Sequence, residues 1–361
     1  MAVPKAFNNM NTKVKKVILT VDYEVFGNGT GDVKTHVVEP AAKLMRLGEQ
    51  FKVPITFFVQ VEELCAYEKF GSALYKDLGY RPADLIRTQI REMIQRGHDV
   101  QLHIHPQWVN ARYENRRWFL QEGMYCIDNL FNNLDDTVRY LREKKEILDS
   151  MISFSDTGRK ISAYRAGAFC AQPGRFLIDA LIKNGIQYET SLVKGLHRTN
   201  GQRAMDYRSV PEKGAWRIGT DVSEEDLNGK LIEVPIASKM QWRFQQATLG
   251  RLKAKFSNLV PREKQLETLR EFGILKNPLS LLKFILQRFP TKYDLHNVNG
   301  RLLAKWILNH ATVSSGPFGQ DVIVIIGHTK EHRDDKNVEL LLCSLSKMEN
   351  CSITDFNSLK C

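Results

Sequence analysis

The segment Val17-Ile-Leu-Thr-Val-Asp22-Tyr-Glu24 decides the predicted fold. Its first residues are typical of a strand buried on both faces, and they lead directly to two carboxylates. The residues that follow, around 42–47, have the apolar spacing of a helix, and Pro54-Ile-Thr-Phe-Phe-Val59 repeats the strand pattern. A strand, a helix and another strand in this order are typical of an α/β protein with a parallel sheet.

The same alternation continues outward over the first two thirds of the chain. Further helices are predicted at 83–96, 134–151 and 174–184, and further strands at 98–105, 162–165, 186–188, 231–235 and 321–326. Gly97 and Gly185 follow two of these helices, at the position where glycine commonly ends a helix. The pattern therefore predicts a parallel sheet, open or closed into a barrel, with helices packed on it.

Composition excludes several classes of protein. The 361 residues are 43% hydrophobic and 26% charged, which is typical of a globular chain and not of a disordered or fibrous one. There is no apolar run of about 18 residues to span a membrane, and the first residues lack the apolar core of an export signal. The six cysteines are widely spaced without a C-x-x-C pair, which favours reduced thiols. We therefore expect a cytoplasmic protein.

Positive charge is concentrated in one segment. The net charge is +11, and residues 241–310 hold 13 Lys or Arg against 4 Asp or Glu. Because residues 241–315 also interrupt the alternation, they are predicted to form a mainly helical basic insertion between 1–240 and 316–361. Within it, Leu279–Phe289 lies between two prolines and predicts a short helix that either docks in the core or rests on a membrane surface or partner. Such a segment attracts phosphates, but no nucleic-acid-binding signature is present, so no nucleic-acid partner is expected.

Polar side chains collect at the predicted carboxyl ends of four strands: Asp22 and Glu24, His103 and His105, Arg165, and His328. Active groups of parallel α/β folds gather at this edge, and residues two apart on a strand share a face. One carboxylate and two imidazoles can hold Zn²⁺ or a similar ion, and a second carboxylate can accept a proton from water. Each element also has a structural explanation, such as a turn or a buried ion pair. The combination is typical of a metal hydrolase.

These residues resemble the polysaccharide deacetylases with the nodulation-protein-B homology domain, carbohydrate esterase family 4. The similar motifs are Leu19-Thr-Val-Asp-Tyr-Glu24, Gly97-His-Asp-Val-Gln-Leu-His103, Tyr164-Arg-Ala-Gly167 and Ile325-Ile-Gly-His328. The resemblance covers about residues 15–240 and 320–335, and it implies a distorted (β/α)7-type barrel. In style the chain is closest to the deacetylase-like proteins of bacterial O-antigen clusters, through His103-Ile-His-Pro-Gln-Trp108 and Tyr188-Glu-Thr-Ser191.

The resemblance also implies roles at the site. Asp22 would be the general base, Arg165 would orient it, and His328 would be the general acid. One divalent metal ion, Zn²⁺ first and Co, Ni, Mn or Fe as alternatives, would be held by Glu24, His103 and His105. The chain departs from the family at Tyr23, which separates the two acids, and at Gln107, which stands where the family has its second histidine. Strand geometry favours His105 as the replacement.

The implied reaction is removal of an N-acyl group, most simply acetyl, from an amino sugar. The expected substrate is a nucleotide- or lipid-linked precursor in a bacterial surface-glycan pathway such as lipopolysaccharide O-antigen synthesis, with peripheral inner-membrane contact through 241–310. Substrate contacts are predicted for four residues: Trp108, Tyr188, Ser191 and Lys194. An inactive sugar-binding barrel and a glycoside hydrolase remain alternatives.

Overall fold

The computed structural model describes residues 14–154, 157–198, 204–246, 260–263, 265–266, 286–312 and 316–360. The strands within them are β1 (Lys15–Tyr23), β2 (Thr56–Gln60), β3 (Asp99–Ile104), β4 (Arg112–Glu114), β5 (Arg117–Phe119), β6 (Ala163–Ala166), β7 (Tyr188–Glu189), β8 (His197–Arg198), β9 (Met205–Asp206), β10 (Trp216–Ile218), β11 (Leu231–Glu233), β12 (Ser238–Trp242), β13 (Arg288–Lys292), β14 (Val322–His328) and β15 (Cys351–Thr354). The α-helices are α1 (Glu39–Gln50), α2 (Val61–Lys69), α3 (Gly71–Leu78), α4 (Pro82–Gln95), α5 (Leu134–Ile152), α6 (Leu177–Lys183), α7 (Arg243–Gln246), α8 (Gly300–Leu308) and α9 (Asp335–Leu345).

One curled sheet organises the molecule. Its order is β10-β11-β7-β6-β3-β2-β1-β14, and β15 pairs with the first half of β1. Every pairing in this sheet is parallel except that of β10 with β11. Parallel neighbours bring their carboxyl ends to one edge, which is where the predicted site residues lie.

The segment after β11 links the two ends of the curled sheet. Ile236 forms a parallel bridge with Val193 on one side and with Val324 of β14 on the other. The backbone N–H of Ala237 donates a hydrogen bond to the Val324 carbonyl at 2.9 Å. The α/β class and the distorted (β/α) barrel predicted from the sequence are therefore confirmed.

Strand β1 is buried on both faces. Val17, Ile18, Leu19 and Val21 are at most 1% exposed, because helices cover one face of the sheet and the barrel interior packs against the other. Thr20 faces the interior, where its hydroxyl donates to the Ile325 carbonyl at 2.6 Å. This environment explains why the buried part of the strand carries charge only at its carboxyl end, while Lys15 and Lys16 lie at its half-buried start.

The predicted helices form close to their expected limits. Helix α4 begins with Pro82 in its first turn and is followed by Gly97 at φ +81°, a left-handed conformation that favours glycine. The side chain of Asn133 caps α5 by accepting a hydrogen bond from the backbone N–H of Asp136 at 2.8 Å. The helix predicted at 174–184 is shorter, since α6 spans Leu177–Lys183.

The described end of the predicted insertion packs on the main sheet. Asp294 forms a parallel bridge with Ile326 of β14, and Leu303 and Ile307 of α8 are buried. The ammonium group of Lys15 in β1 donates to three carbonyls at the end of α8, those of Ile307, Leu308 and His310, at 3.1, 2.5 and 2.7 Å. Residues 286–312 are thus part of the packing of the barrel, and the predicted boundaries at 240 and 316 stay a prediction.

The helix predicted over Leu279–Phe289 falls mostly outside the described residues. Its last residue, Phe289, lies in β13 and pairs with Gln241 of β12. Across the part of the chain that the structure describes, no helix combines the length and the apolar character needed to cross a membrane.

His98 is buried beneath α1 on the helix-covered face of the sheet. Its Nδ1 accepts a hydrogen bond from the Ile55 N–H at 3.3 Å, and its ring packs edge-on against Phe57. A Cβ on Gly48 would come within 2.7 Å of this ring, so glycine is required there. Burial lowers the pKa of His98 to about 4. The folded protein therefore keeps this imidazole neutral at a pH where the unfolded chain protonates it.

We predict that His98 makes the fold less stable in mild acid. Between pH 6.5 and 5 the unfolded chain gains a proton that folded His98 does not, which costs about 2 kcal/mol of stability. His98→Asn keeps an acceptor for the Ile55 N–H but does not titrate. Urea unfolding should show a smaller loss of stability from pH 7.5 to 5 in the variant, by about that amount. Equal losses in both proteins would contradict the prediction, because all other histidines are shared.

Candidate active site

The strand ends bring all of the predicted catalytic and metal residues together. They lie at the carboxyl ends of β1, β3, β6 and β14 and are buried or nearly so: Asp22, Glu24, His103, His105, Arg165 and His328. The strand order β6-β3-β2-β1-β14 places these four strands within one arc of the sheet. Three side chains separated by up to 306 positions in sequence, Asp22, Arg165 and His328, therefore share one site.

Glu24, His103 and His105 form a compact cluster of potential metal ligands. One Glu24 oxygen, Oε2, lies 2.8 Å from His105 Nε2 and 3.4 Å from His103 Nε2. The three ligand atoms lie within 4.8 Å of one another. The ligand atoms of a second group also lie within 4.8 Å of one another, those of Asp22, Glu24 and His328.

The chemistry of this cluster fits a divalent metal ion. His103 Nδ1 lies 2.8 Å from the Arg165 carbonyl, which can only accept, so Nδ1 carries the proton. His103 Nε2 then faces Glu24 and is buried without a hydrogen-bond partner among the described residues. Burial lowers the pKa of His103, but Asp22 and Glu24 more than offset this and raise it. The carboxylates thus favour positive charge at this point, and two imidazoles with a carboxylate are typical zinc ligands.

The structure distinguishes His105 from Gln107 at this cluster. The His105 ring packs on Gly167, where a Cβ would come within 2.6 Å of it. Gln107 lies in the turn after β3, and its Nε2 donates instead to the Gly27 carbonyl at 2.8 Å. Glycine at 167 therefore leaves space for His105 to reach Glu24, while the Gln107 amide is held by the loop after β1.

A buried ion pair joins β6 to β1. Arg165 Nη1 lies 2.6 Å from Asp22 Oδ1, and the Arg165 side chain is 0% exposed. The same guanidinium donates to the Thr20 hydroxyl at 3.0 Å and to the Thr190 carbonyl at 3.1 Å, and it lies over the Phe58 ring. Burial raises the pKa of Asp22, but Arg165, followed by nearby histidines, outweighs this and lowers it. Asp22 is therefore ionised at neutral pH.

His328 links Asp22 to a further carboxylate. Its Nε2 lies 3.5 Å from Asp22 Oδ2, and its Nδ1 lies 3.2 Å from Glu331 Oε2. Burial raises the pKa of Glu331, but His328 outweighs this and lowers it well below the ordinary range. Glu331 thus orients the ring so that Nε2 faces Asp22 and the cavity.

Lys330 and Glu331 belong to the site although the sequence analysis assigned them no role. Lys330 Nζ lies 2.5 Å from Glu24 Oε1 and donates to the Val25 carbonyl at 3.0 Å. Burial raises the pKa of Glu24, but Lys330 and then His105 lower it well below its ordinary value. The sequence offers one indication of their role: both residues follow His328 within three positions, at the end of a strand.

A cavity of about 790 Å³ opens over these residues. Its floor holds Asp22, Glu24, His105, His328 and Lys330. Its walls carry aromatic side chains: Phe26, Trp118, Phe119, Tyr125 and Phe169. The cavity is large enough for a sugar and offers flat apolar surfaces beside charged groups.

The four residues predicted to contact substrate lie in the packing around this cavity and are not among its lining residues. Trp108 is 1% exposed and packs against Tyr67 and Trp118. Tyr188 packs against Phe318 and Phe356, on the face of the sheet that also carries Arg165. The Ala166 N–H donates to the Ser191 hydroxyl at 2.6 Å, and Lys194 donates to the carbonyls of residues 211 and 213. The side chains of these four residues are engaged in contacts outside the cavity lining, whereas Trp118 lines the cavity.

Comparison with known proteins returned solved structures only. No family model and no curated protein match the chain. A structure from Mycobacterium smegmatis described as a polysaccharide deacetylase has a TM-score of 0.45 and 14% identity, over 98% of this chain and 91% of that one. Another so described, from Pseudomonas aeruginosa, has a TM-score of 0.44 and 10% identity, over 95% and 89%.

An allantoinase is as similar, with a TM-score of 0.44 and 10% identity over 96% of this chain and 89% of that one. The family that the sequence motifs resemble is thus represented among the matching structures, together with an enzyme of another name. At these TM-scores the similarity does not show an activity for this chain.

We predict that removing the Arg165 guanidinium destabilises the fold more than removing both partners of the ion pair. Arg165→Met leaves Asp22 buried and unpaired, which costs about 3–5 kcal/mol. The double variant Asp22→Leu, Arg165→Met leaves no buried charge at this pair and should lose less. Urea unfolding of both single variants and the double variant measures the coupling. Additive losses would contradict a strong interaction between the two side chains.

We also predict that His105, and not Gln107, is needed to bind metal. After incubation with Zn²⁺ and removal of free ion, His105→Ala should retain little metal, because one imidazole of the cluster is lost. Gln107→Ala is the matched control and should bind as the unmodified protein does. Metal per chain by mass spectrometry measures both. Loss in Gln107→Ala with retention in His105→Ala would reverse the assignment.

Proposed function

We propose that the protein is a metal-dependent hydrolase that removes an N-acyl group, most simply acetyl, from an amino sugar. One observation carries the proposal: Asp22 lies between the cluster of Glu24, His103 and His105 and the imidazole of His328. Asp22 Oδ2 is 3.9 Å from His103 Nε2 and 3.5 Å from His328 Nε2. The proposed cation site, an ionised carboxylate and a third imidazole, that of His328, thus lie side by side at the cavity.

The ligand cluster determines what a bound metal would contribute. When held by Glu24, His103 and His105, a divalent ion would polarise an acyl carbonyl and increase the acidity of water. A carboxylate with two imidazoles suits Zn²⁺ and also Co, Ni, Mn or Fe.

Asp22 is the proposed general base. Arg165 occupies its Oδ1, which leaves Oδ2 directed toward the cavity to accept a proton from the attacking water. The guanidinium keeps this carboxylate ionised and fixes its orientation. Both features are needed, because a base must be unprotonated and within reach of the water that it activates.

His328 is the proposed general acid. An amide nitrogen leaves poorly unless it is protonated, and the His328 Nε2 lies on the cavity side of the site. Glu331 next to Nδ1 holds the ring so that Nε2 can pass a proton to the departing nitrogen. Asp22 and His328 therefore supply the two proton transfers that hydrolysis of an amide requires.

The cavity walls support a sugar substrate that carries phosphate. Trp118, Phe119 and Tyr125 present rings against which a sugar can stack. Arg198 and Arg333 also line the cavity, and Arg333 Nε is buried without a hydrogen-bond partner among the described residues. A phosphate group would supply that partner.

We therefore favour a nucleotide- or lipid-linked amino sugar as the substrate. The O-antigen style of the sequence motifs supports a place in the synthesis of a bacterial surface glycan, with the enzyme in the cytoplasm.

Acetate release tests the proposal. We expect the zinc-loaded protein to deacetylate N-acetylglucosamine linked to a nucleotide or polyprenyl diphosphate faster than the free sugar. Asp22→Asn should lower kcat/KM by about 10²–10⁴ while metal remains bound, because Asp22 is not one of the three proposed ligands. Gln107→Ala serves as the control. A protein that binds Zn²⁺ but releases acetate from none of these compounds would contradict the proposal and favour a sugar-binding barrel.

A further inference from the structure

The ribbon formed by β12 and β13 exposes an apolar end. Trp242 and Phe244 are 42% and 51% exposed, and Leu286, close to the start of β13, is 51% exposed. Trp242 pairs directly with Arg288 across the ribbon. We name Trp242, Arg243, Phe244, Leu286 and Arg288 the ribbon tip. Large apolar side chains gathered at one exposed point are typical of an interaction surface.

The charged residues of the ribbon itself have one sign. Residues 238–246 and 286–292 contain Lys239, Arg243, Arg288 and Lys292 and no Asp or Glu. Arg243 lies over the Phe289 ring at 4.1 Å, so its charge is held next to the apolar group. Cations interspersed with tryptophan and phenylalanine match a surface that is negatively charged outside and apolar beneath.

The base of the ribbon lies beside the cavity described above. Lys292 Nζ lies 4.7 Å from the centre of the Phe169 ring, and Phe169 lines the cavity. Met240 packs near Gly195, where an added Cβ would come within 2.7 Å of its sulfur. A surface that bound the ribbon tip would therefore lie near the wall of the cavity.

We propose that the ribbon tip docks on a membrane surface that contains anionic lipids. Trp242, Phe244 and Leu286 enter the boundary between headgroups and acyl chains, and Arg243 and Arg288 contact the lipid phosphates. Docking brings the cavity to the membrane surface, where a substrate attached to a lipid diphosphate is concentrated. The substrate class in this last step depends on the proposed deacetylase function, whereas the docking itself does not.

Vesicle sedimentation with the full chain tests the docking. We expect the protein to bind vesicles of phosphatidylcholine with about one third phosphatidylglycerol at about 0.1 M salt, and to bind phosphatidylcholine alone much less. Trp242→Ala with Phe244→Ala should reduce binding at least about fivefold, since two interfacial rings are lost. Arg243→Gln with Arg288→Gln should abolish the preference for anionic vesicles.

Matched variants test whether vesicle binding requires the ribbon tip or only exposed apolar and basic side chains in general. Phe154 and Leu227 are 76% and 79% exposed outside the ribbon, and replacing both by alanine should leave vesicle binding unchanged. Arg46→Gln with Lys76→Gln removes the same charge from an exposed surface elsewhere and should also have no effect. Circular dichroism of each variant verifies that the fold is retained.

Two results would overturn the docking proposal. One is failure of the unmodified protein to bind anionic vesicles, or equal binding by the ribbon-tip variants. The other is a shift from dimer to monomer in Trp242→Ala, Phe244→Ala without any vesicle binding, which would assign the surface to a second copy of this chain. Neither depends on turnover. Acetate release from free N-acetylglucosamine, measured in parallel, therefore distinguishes a failed docking proposal from a failed deacetylase proposal.

Discussion

The buried pair of Arg165 and Asp22 is the interaction on which the site depends. A guanidinium without access to water must find partners for its donors inside the protein, and here they come from Asp22, Thr20 and Thr190. These partners lie on β1 and directly after β7, so satisfying one charge also fixes how distant parts of the curled sheet meet. The pairing leaves one Asp22 oxygen for chemistry. The same buried ion pair thus stabilises the fold and orients the carboxylate of the proposed general base.

The sequence predicted the strand ends well because neighbouring residues alone determine where a buried strand stops and which side chains share its face. An apolar run that stops at a charged residue marks the edge of a buried parallel sheet, and the two-residue period of a strand places Asp22 with Glu24 and His103 with His105. The sequence does not show which buried side chains reach the cavity, since both faces of this sheet are buried. Hydrophobicity then does not reveal how far from the cavity a side chain such as Tyr188 lies. The turn after β14 was missed for a related reason: no periodicity indicates that it returns Lys330 to Glu24.

Lys330 places a permanent positive charge beside the cluster of Glu24, His103 and His105. Glu24 has Lys330 on one oxygen and two imidazoles on the other, so this buried carboxylate is never without a positive neighbour. A carboxylate left alone in such a place would carry a large desolvation cost. The protein can therefore fold with the cluster already assembled, and a metal ion, if bound as proposed, would enter a preformed site.

The pairing of Trp242 with Arg288 means that the connection over residues 243–287 begins and ends at neighbouring positions of the ribbon. When the ends of a connection are held together, each doubling of its length costs only about 0.6 kcal/mol in closure entropy. Closing this connection therefore depends little on its length, while its described residue Val260 is buried and lines the cavity. In evolutionary terms, this is a place where segments of different length can be exchanged, so that the surroundings of the cavity change without redesign of the barrel.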